Sequence, residues 1–121
     1  MTTAMKREAM KPLLMIPTYN ERENLEPLVR EIFSAVPQLN LLIIDDSSSD
    51  GTGAIADRLA KEFPQIHVKH RPPRSGRGTC SMDGYSHAME KEYTHYLEID
   101  CDHSHSPREL ASLLGLASAG A

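Results

Sequence analysis

Residues 41–52 read LLIIDDSSSDGT, and this stretch decides the fold of the chain. Its first four residues, Leu41–Ile44, are apolar without alternation, which is typical of a short strand buried on both faces. The residues that follow, Ser47–Gly51, are small, polar or glycine, and such residues favour a turn. Because a strand buried on both faces needs a helix on each side, this stretch predicts an α/β fold.

The same alternation extends in both directions along the chain. Further strands are predicted at Leu13–Ile16, which Pro17 ends, at Ile66–Lys69 and at Tyr93–Ile99. Apolar residues at helical spacing predict four helices, marked by Leu25 to Val36, by Ile55, Leu59 and Phe63, by Met82, Tyr85 and Met89, and by Leu110, Leu113 and Leu114. Together these elements predict a Rossmann-like, mostly parallel sheet with helices on both faces.

Capping residues predict the starts of three helices, of which the last is marked by Ser106-Pro107-Arg108-Glu109. Asn20, with Glu23 three residues later, is a candidate cap for the first helix. Asp50 is a candidate N-cap for the second helix. This capping role gives Asp50 a structural interpretation beside a functional one.

Length and composition limit the class of protein. The 121 residues fit one domain, for which we predict a flexible tail at residues 1–11 and a folded domain at residues 12–121. A net charge of −4 gives no electrostatic reason to expect nucleic-acid binding. No apolar run approaches the ~20 residues that a membrane span needs. The two cysteines have no framework spacing and no signal peptide is visible, so a cytoplasmic location is predicted.

Polar residues gather where three of the predicted strands end. These segments are Pro17 to Glu21, Asp45 to Thr52, and Asp100 to His105. Because parallel sheets bind ligands at the carboxyl ends of their strands, the three segments predict a binding site. Carboxylates at one sheet edge repel each other unless a cation or hydrogen-bond donors neutralise them.

The pair Asp100 and Asp102 flanks Cys101, so on an extended segment both carboxylates point to the same side. Two carboxylates suit a hard divalent cation that keeps several positions for diphosphate oxygens. A zinc site built from Cys101, Asp102, His103 and His105 is an alternative, because these ligand types also suit zinc.

A cluster of basic residues follows the third predicted strand. Its members are Lys69, Arg71, Arg74 and Arg77, beside the glycines of Gly76-Arg77-Gly78-Thr79. Glycines at a helix N-terminus let backbone N–H groups approach an anion, so this segment is a candidate phosphate site. A merely solvated basic loop is the alternative.

Four segments, IPTYNERENL, LLIIDDSSSDGT, RSGRGT and EIDCDHSHSP, resemble in order and spacing the family-2 glycosyltransferases of the GT-A fold. The DDSSSDGT and Ser-His-x-Pro details are most similar to the dolichol-phosphate (polyprenol-phosphate) mannose synthases. The resemblance runs from Leu13 to Leu114. It implies that the chain is the nucleotide-sugar-binding half of a GT-A domain.

The resemblance also implies roles for individual residues. The implied nucleotide-binding residues are Pro17, Tyr19 and Glu21 at the nucleoside, Asp45 and Asp46 at the base and ribose, and Arg74 near the phosphates. The implied catalytic and metal-binding residues are Asp100 and Asp102, holding Mg²⁺ or Mn²⁺ on the diphosphate. The implied reaction transfers mannose, with inversion, from GDP-mannose to a polyprenyl phosphate.

Members of this family continue for about as much sequence again. We therefore expect this chain to bind the donor and to transfer little sugar alone, because acceptor positioning contributes a large part of such catalysis. An uncovered sheet edge and apolar face predict self-association. The lipid acceptor implies peripheral association with the cytoplasmic face of a membrane or with a membrane-protein partner.

Three other classes of protein are compatible with parts of the pattern. A response-regulator receiver domain has similar length and acidic strand ends, but its acidic pair follows the first strand. A sugar nucleotidyltransferase should open with a glycine-rich loop where this chain has Pro17 to Glu21. A catalytically silent nucleotide-binding remnant would retain all the motifs.

Overall fold

The computed structural model describes residues 11–73 and 77–102, with the backbone alone for residues 77 and 78. Strands and helices alternate along this part of the chain. In order they are β1 (Pro12–Thr18), α1 (Leu25–Ala35), β2 (Asn40–Asp45), α2 (Thr52–Glu62), β3 (Ile66–His70), α3 (Arg77–Glu90) and β4 (His95–Glu98). The helix predicted after Ser106 lies outside the described residues.

The four strands form one parallel sheet in the order β3-β2-β1-β4. Strand β1 is central, and it pairs with β2 from Leu13 opposite Asn40 to Thr18 opposite Asp45. This is the 3-2-1-4 order of Rossmann folds, which confirms the predicted fold class. Receiver domains follow the order 2-1-3-4-5 instead, so the receiver interpretation is wrong.

One face of the sheet is covered by α1 and α2. The buried residues of this face come from both helices and from alternate strand positions, and they include Leu14, Ile16, Leu41, Ile43, Leu28, Ile32 and Leu59. The amphipathic pattern of α1 explains the packing, since Leu25, Leu28, Val29 and Ile32 share one stripe and are fully buried. This face holds the larger of the two core clusters in the described residues.

The opposite face is covered by α3, through a side of the helix that was not predicted. The residues of α3 that contact the sheet are small, with Cys80 and Ala88 in the core cluster of Leu13, Met15, Leu42 and Ile44. The apolar residues that marked this helix in the sequence face outward, and Met82, Tyr85 and Met89 are 69%, 56% and 64% exposed.

Gly84 shows why small residues face the sheet. A Cβ atom at this position would overlap the Tyr96 hydroxyl and lie 3.0 Å from Met15 Cγ. The helix therefore approaches the sheet too closely for large side chains, and its larger apolar residues remain outside.

Strand β1 is longer than predicted, because it passes through Pro17 and ends at Thr18. The Met15 carbonyl accepts from the Ile99 N–H, so the backbone polar groups of Met15 point toward β4. The backbone polar groups of Pro17, two residues later, point to the same side. The pairing of β1 with β4 stops at Met15 opposite Glu98. A backbone N–H at position 17 would therefore point beyond the end of the β1–β4 pairing. The strand tolerates Pro17 because no hydrogen bond between strands is lost.

The start of α1 differs from the prediction. The helix begins at Leu25 with Asn24 as N-cap, so the predicted cap at Asn20 and Glu23 is wrong. Asn20 has a left-handed φ of 53° and is used in a loop contact instead. Lys11, placed in the predicted tail, exchanges backbone and side-chain hydrogen bonds with Thr94 at 2.7 and 2.8 Å.

Candidate functional site

The loops after β1 and β2 are joined by side chains of the sequence DDSSSDGT. The Glu21 N–H donates to the Thr52 hydroxyl at 2.9 Å, and the Arg22 N–H donates to the Asp50 carboxylate at 3.2 Å. The Asn20 N–H donates to the Ser48 hydroxyl at 2.8 Å. Side chains of the second loop thus bind the backbone of the first, which fixes both loops at the carboxyl edge of the sheet.

Asp50 combines this contact with a role at the start of α2. It lies one residue before the formal N-cap, Gly51, and its carboxylate accepts from the Thr52 N–H at 3.0 Å. The Thr52 hydroxyl bonds to the same carboxylate and holds the pKa of Asp50 below its ordinary value. The predicted N-cap is therefore wrong by one residue, since Gly51 is the N-cap, although the Asp50 carboxylate does accept from the first N–H of the helix.

Asp45 is a structural residue of this turn. It is 2% exposed, and one carboxylate oxygen accepts from the hydroxyls of Thr18 at 2.7 Å and Ser48 at 2.6 Å. The other oxygen accepts from the Ser48 N–H at 3.1 Å. Both oxygens are thus occupied by protein donors, and Asp45 does not line the adjacent cleft.

Asp46 has the opposite environment. Its side chain is 23% exposed and borders a cleft, and within the described residues its buried Oδ1 atom has no hydrogen-bond partner. The nearest cation is the Arg71 guanidinium, with Nη1 at 3.5 Å from this oxygen, which is an ion-pair distance rather than a hydrogen bond. The buried oxygen is thus compensated by charge on its inner side, and the exposed part of the carboxylate is available to a ligand in the cleft.

The cleft has a volume of about 340 Å³ and opens at the carboxyl edge of β1 and β2. Its lining residues are Pro17, Thr18, Tyr19, Glu21, Asp46 and Cys80. Tyr19 is 62% exposed, so an aromatic ring is available to a flat ligand. The two carboxylates favour ligand groups that donate hydrogen bonds or carry a cation.

Asp100 and Asp102 follow β4 and lie outside the strand, with Cys101 and Asp102 in a turn. Cys101 between them is 2% exposed and packs in the core cluster of the α1 and α2 face. Burial raises the pKa of the Cys101 thiol to about 12, with smaller contributions from the carboxylates of Glu21 and Asp102. This turn therefore lies beside the cleft residue Glu21, while the Cys101 side chain faces the core.

Two carboxylates are few for a metal site made of protein ligands alone. Over residues 11–73 and 77–102, no three His, Cys, Asp or Glu side chains are grouped to hold a metal ion. Mg²⁺ and Mn²⁺ are commonly bound by one or two carboxylates together with substrate phosphates, so Asp100 and Asp102 fit such an ion. The zinc alternative fits less well, since Cys101 faces the core, and His103 and His105 lie outside the described residues.

Of the residues singled out in the sequence, Pro17, Tyr19, Glu21 and Asp46 are brought together at the cleft. Asp45 is placed behind it, and Arg74 lies outside the described residues. Thr18 and Cys80 also line the cleft and were not predicted. A signal for Cys80 was present, because Cys80, Gly84 and Ala88 form a stripe of small residues at helical spacing.

The family comparison covers most of the chain. A family model described as "Glycosyl transferase family 2" matches residues 14–121. A polyprenol monophosphomannose synthase of Mycolicibacterium smegmatis is 44% identical over 116 residues, which are 95% of this chain and 44% of the relative. An undecaprenyl-phosphate mannosyltransferase of Micrococcus luteus is 42% identical over 105 residues, which are 87% of this chain and 43% of the relative. The chain therefore spans less than half the length of these curated relatives.

Solved structures show the same fold. A mannosyltransferase of Pyrobaculum calidifontis, solved in complex with GDP-Man and Mn²⁺, has a TM-score of 0.58 and 24% identity over 64% of this chain and 24% of its own. The S. aureus protein TarS, residues 1–349 in complex with UDP, has a TM-score of 0.63 and 19% identity over 91% of this chain and 32% of its own. Within the described part of the chain, no helix is long and apolar enough to cross a membrane.

Proposed function

This chain belongs to glycosyl transferase family 2, and from that membership we propose that it binds the nucleoside diphosphate sugar of a polyprenyl-phosphate mannosyltransferase. Its relatives are named for mannosyl transfer to polyprenyl, undecaprenyl and dolichyl phosphates. The structural observation that carries the proposal is the cleft, which the partly exposed Asp46 carboxylate borders.

Guanine is the base that this cleft suits best. Guanine presents neighbouring N1–H and N2–H donors on one edge, and a carboxylate accepts such a pair of donors well. Asp46 and Glu21 are the carboxylates of the cleft wall, and the exposed Tyr19 offers a ring for stacking. The GDP-Man carried by the Pyrobaculum calidifontis neighbour supports the same base.

The diphosphate is proposed to bind with Mg²⁺ or Mn²⁺ at Asp100 and Asp102. A cleft lined by carboxylates repels a diphosphate, so a divalent cation is needed between them. When bound, the cation supplies Lewis-acid stabilisation of the charge on the leaving diphosphate. Arg74 is proposed to lie near the phosphates.

The proposed reaction is a single displacement. An oxygen of the polyprenyl phosphate forms a bond to the anomeric carbon of mannose as the bond to GDP breaks, which inverts the configuration. The acceptor phosphate is already ionised at neutral pH, so no general base in this chain is required. A lipid acceptor places the reaction at a membrane surface, and we propose its cytoplasmic face.

A base-selectivity experiment tests the proposed donor. At equal Mn²⁺ concentration, GDP should compete at least about tenfold better than UDP. The reason is that guanine presents two neighbouring N–H donor groups to the carboxylates, whereas uracil presents one N–H donor. IDP is the matched control, since hypoxanthine lacks only the exocyclic amino group, and it should bind with intermediate affinity. The measurement is displacement of a fluorescent GDP analogue. A preference for UDP would refute the guanine assignment, while loss of all nucleotide binding would refute the nucleotide site.

A further inference from the structure

Arg71, which follows β3, is buried in the described part of the chain. The residue is 7% exposed, whereas Lys69 two positions earlier on the same strand is exposed. The basic cluster seen in the sequence is therefore not one surface patch. A buried guanidinium is costly unless carboxylates and hydrogen-bond acceptors surround it, so its partners indicate what it does.

The partners of the Arg71 side chain join the cleft wall to α3. Its Nε atom lies 3.1 Å from Asp83 Oδ2 of α3, and its Nη1 atom lies 3.5 Å from Asp46 Oδ1. The guanidinium also donates to the Thr79 hydroxyl and contacts the cleft residue Cys80. Arg71 thus lies directly behind the cleft wall that Asp46 and Cys80 form.

The backbone of Arg71 holds the same turn from the other side. Its N–H donates to the Asp45 carbonyl at 2.8 Å, and its carbonyl accepts from the Ser47 hydroxyl at 2.5 Å. Ser47 has a left-handed φ of 57°, a conformation that a non-glycine residue adopts only when its surroundings hold it. Arg71 therefore binds the residues before and after Asp46 as well as Asp46 itself.

We propose that Arg71 is a positioning residue for the nucleoside, one that holds the buried Oδ1 atom of Asp46 so that the exposed part of the carboxylate faces the cleft. The inference rests on the proposed function of the cleft as a nucleoside site. The guanidinium compensates the charge of Asp46 from the buried side, with Nη1 at 3.5 Å from Oδ1, and leaves the exposed part of the carboxylate able to accept from a ligand. The Nε atom of Arg71 lies closer to Asp83, at 3.1 Å, and this contact fixes the guanidinium.

This role differs measurably from phosphate binding, which is the other interpretation of the basic cluster. A positioning residue that acts through Asp46 should matter equally for guanosine and for GDP, because both present the same base. A phosphate-binding arginine should matter for GDP alone. The ratio of the loss in guanosine affinity to the loss in GDP affinity therefore separates the two roles.

The experiment measures guanosine and GDP affinities, with Mn²⁺ present, for the Arg71→Gln variant. We expect both affinities to fall by a similar factor of about ten, on the scale of losing support for one charged hydrogen bond. In an Asp46→Asn background, the same substitution should have little further effect, because both changes act on one interaction. Lys69→Gln is the matched control for charge, and it should leave guanosine affinity unchanged. Arg71→Lys should restore part of the affinity.

A second readout needs no nucleotide. Cys80 and Cys101 are both 2% exposed, and only Cys80 contacts Arg71. Because burial raises the pKa of the Cys80 thiol and Arg71 lowers it in part, the native-state alkylation rate by N-ethylmaleimide is corrected for the thiolate fraction from its pH profile. The corrected rate in Arg71→Gln should become about tenfold faster at Cys80, through easier local opening, and should stay unchanged at Cys101. Circular dichroism checks folding, and Arg71→Lys replaces Arg71→Gln in both readouts if the latter does not fold.

The outcomes distinguish this inference from the proposed function. Loss of GDP affinity with unchanged guanosine affinity, or additive effects in the Asp46→Asn background, would overturn the positioning role. If the wild-type chain binds neither ligand, the nucleoside site itself is wrong. In that case unchanged alkylation of Cys80 would also reject any role of Arg71 in holding the cleft wall, and faster alkylation would support it.

Discussion

Asparagine in place of Asp46 is expected to weaken GDP binding by about 30-fold, with a smaller loss of stability because the buried Arg71 loses a charge partner. Asp46 borders the cleft with a side chain that is 23% exposed, while its Oδ1 atom is buried beside Arg71. A hydrogen bond from a ligand to a charged group contributes about 1.5–3 kcal/mol, which corresponds to this range of affinity. The measurement is GDP titration by calorimetry together with a thermal melt.

Asparagine in place of Asp45 should act mainly on the stability of the fold rather than on GDP binding. In Asp45→Asn, an amide NH₂ group replaces one carboxylate oxygen. It then faces hydrogen-bond donors, which are either the hydroxyls of Thr18 and Ser48 or the Ser48 N–H, so one buried hydrogen bond is lost. The expected loss is about 1–3 kcal/mol in the free energy of unfolding, which lowers the melting temperature by several degrees. Asp57→Asn is the matched control, because Asp57 is exposed and bound only at the surface to His70. Loss of GDP binding in Asp45→Asn without loss of stability would contradict this division of roles.

Removing either carboxylate of the β4 turn is expected to lower GDP affinity by about a hundredfold with Mn²⁺ present. Asp100→Asn and Asp102→Asn should both reduce GDP affinity to the level of the wild-type chain in EDTA, because a bound cation supplies several kcal/mol of charge stabilisation. Guanosine affinity should stay unchanged, since the nucleoside carries no phosphate.

Glu98→Gln is the matched control for this turn. Glu98 lies just before it and is bound to the Ser81 and Tyr96 hydroxyls at 2.9 and 3.0 Å. Its loss removes one nearby carboxylate without removing either proposed metal ligand. An unaltered Mn²⁺ dependence in both Asp100→Asn and Asp102→Asn would show that the cation is bound elsewhere.

The sheet could be predicted because each strand is a short apolar run between turn residues. Leu41–Ile44 shows this directly, since its four residues are buried and alternate between the two core clusters. Helix α1 was equally clear, because its apolar residues recur at 3.6-residue spacing on a polar background. Such periodicities depend only on local geometry and need no knowledge of the partners.

The orientation of α3 could not be predicted, because it depends on how close two elements lie. The large residues Met82, Tyr85 and Met89 were the more obvious apolar stripe, yet the close approach of Gly84 to Tyr96 requires the small-residue side. Hydrophobicity alone predicts that the large-residue side of α3 faces the sheet, which is wrong, because it does not take account of the space between helix and sheet.

The candidate site was predicted as a region, but the different environments of the adjacent residues Asp45 and Asp46 were not. Strand alternation separates the adjacent carboxylates, because Asp45 continues the Leu41 and Ile43 side of β2 and Asp46 continues the Leu42 and Ile44 side. Which side holds the cleft depends on Cys80 of α3, so the sequence could not tell which aspartate faces a ligand. Arg71 was likewise recognisable as basic, but its burial follows from the fold.

The most direct test of the proposed function is a calorimetric titration of the wild-type chain with GDP in the presence of Mn²⁺ and again in EDTA. We expect one GDP per chain with Mn²⁺ and affinity about a hundredfold lower in EDTA, because the carboxylate-lined cleft cannot hold a diphosphate without a cation. Equal affinity in the two conditions, or no binding in either, would contradict a metal-dependent nucleotide-sugar site in this chain.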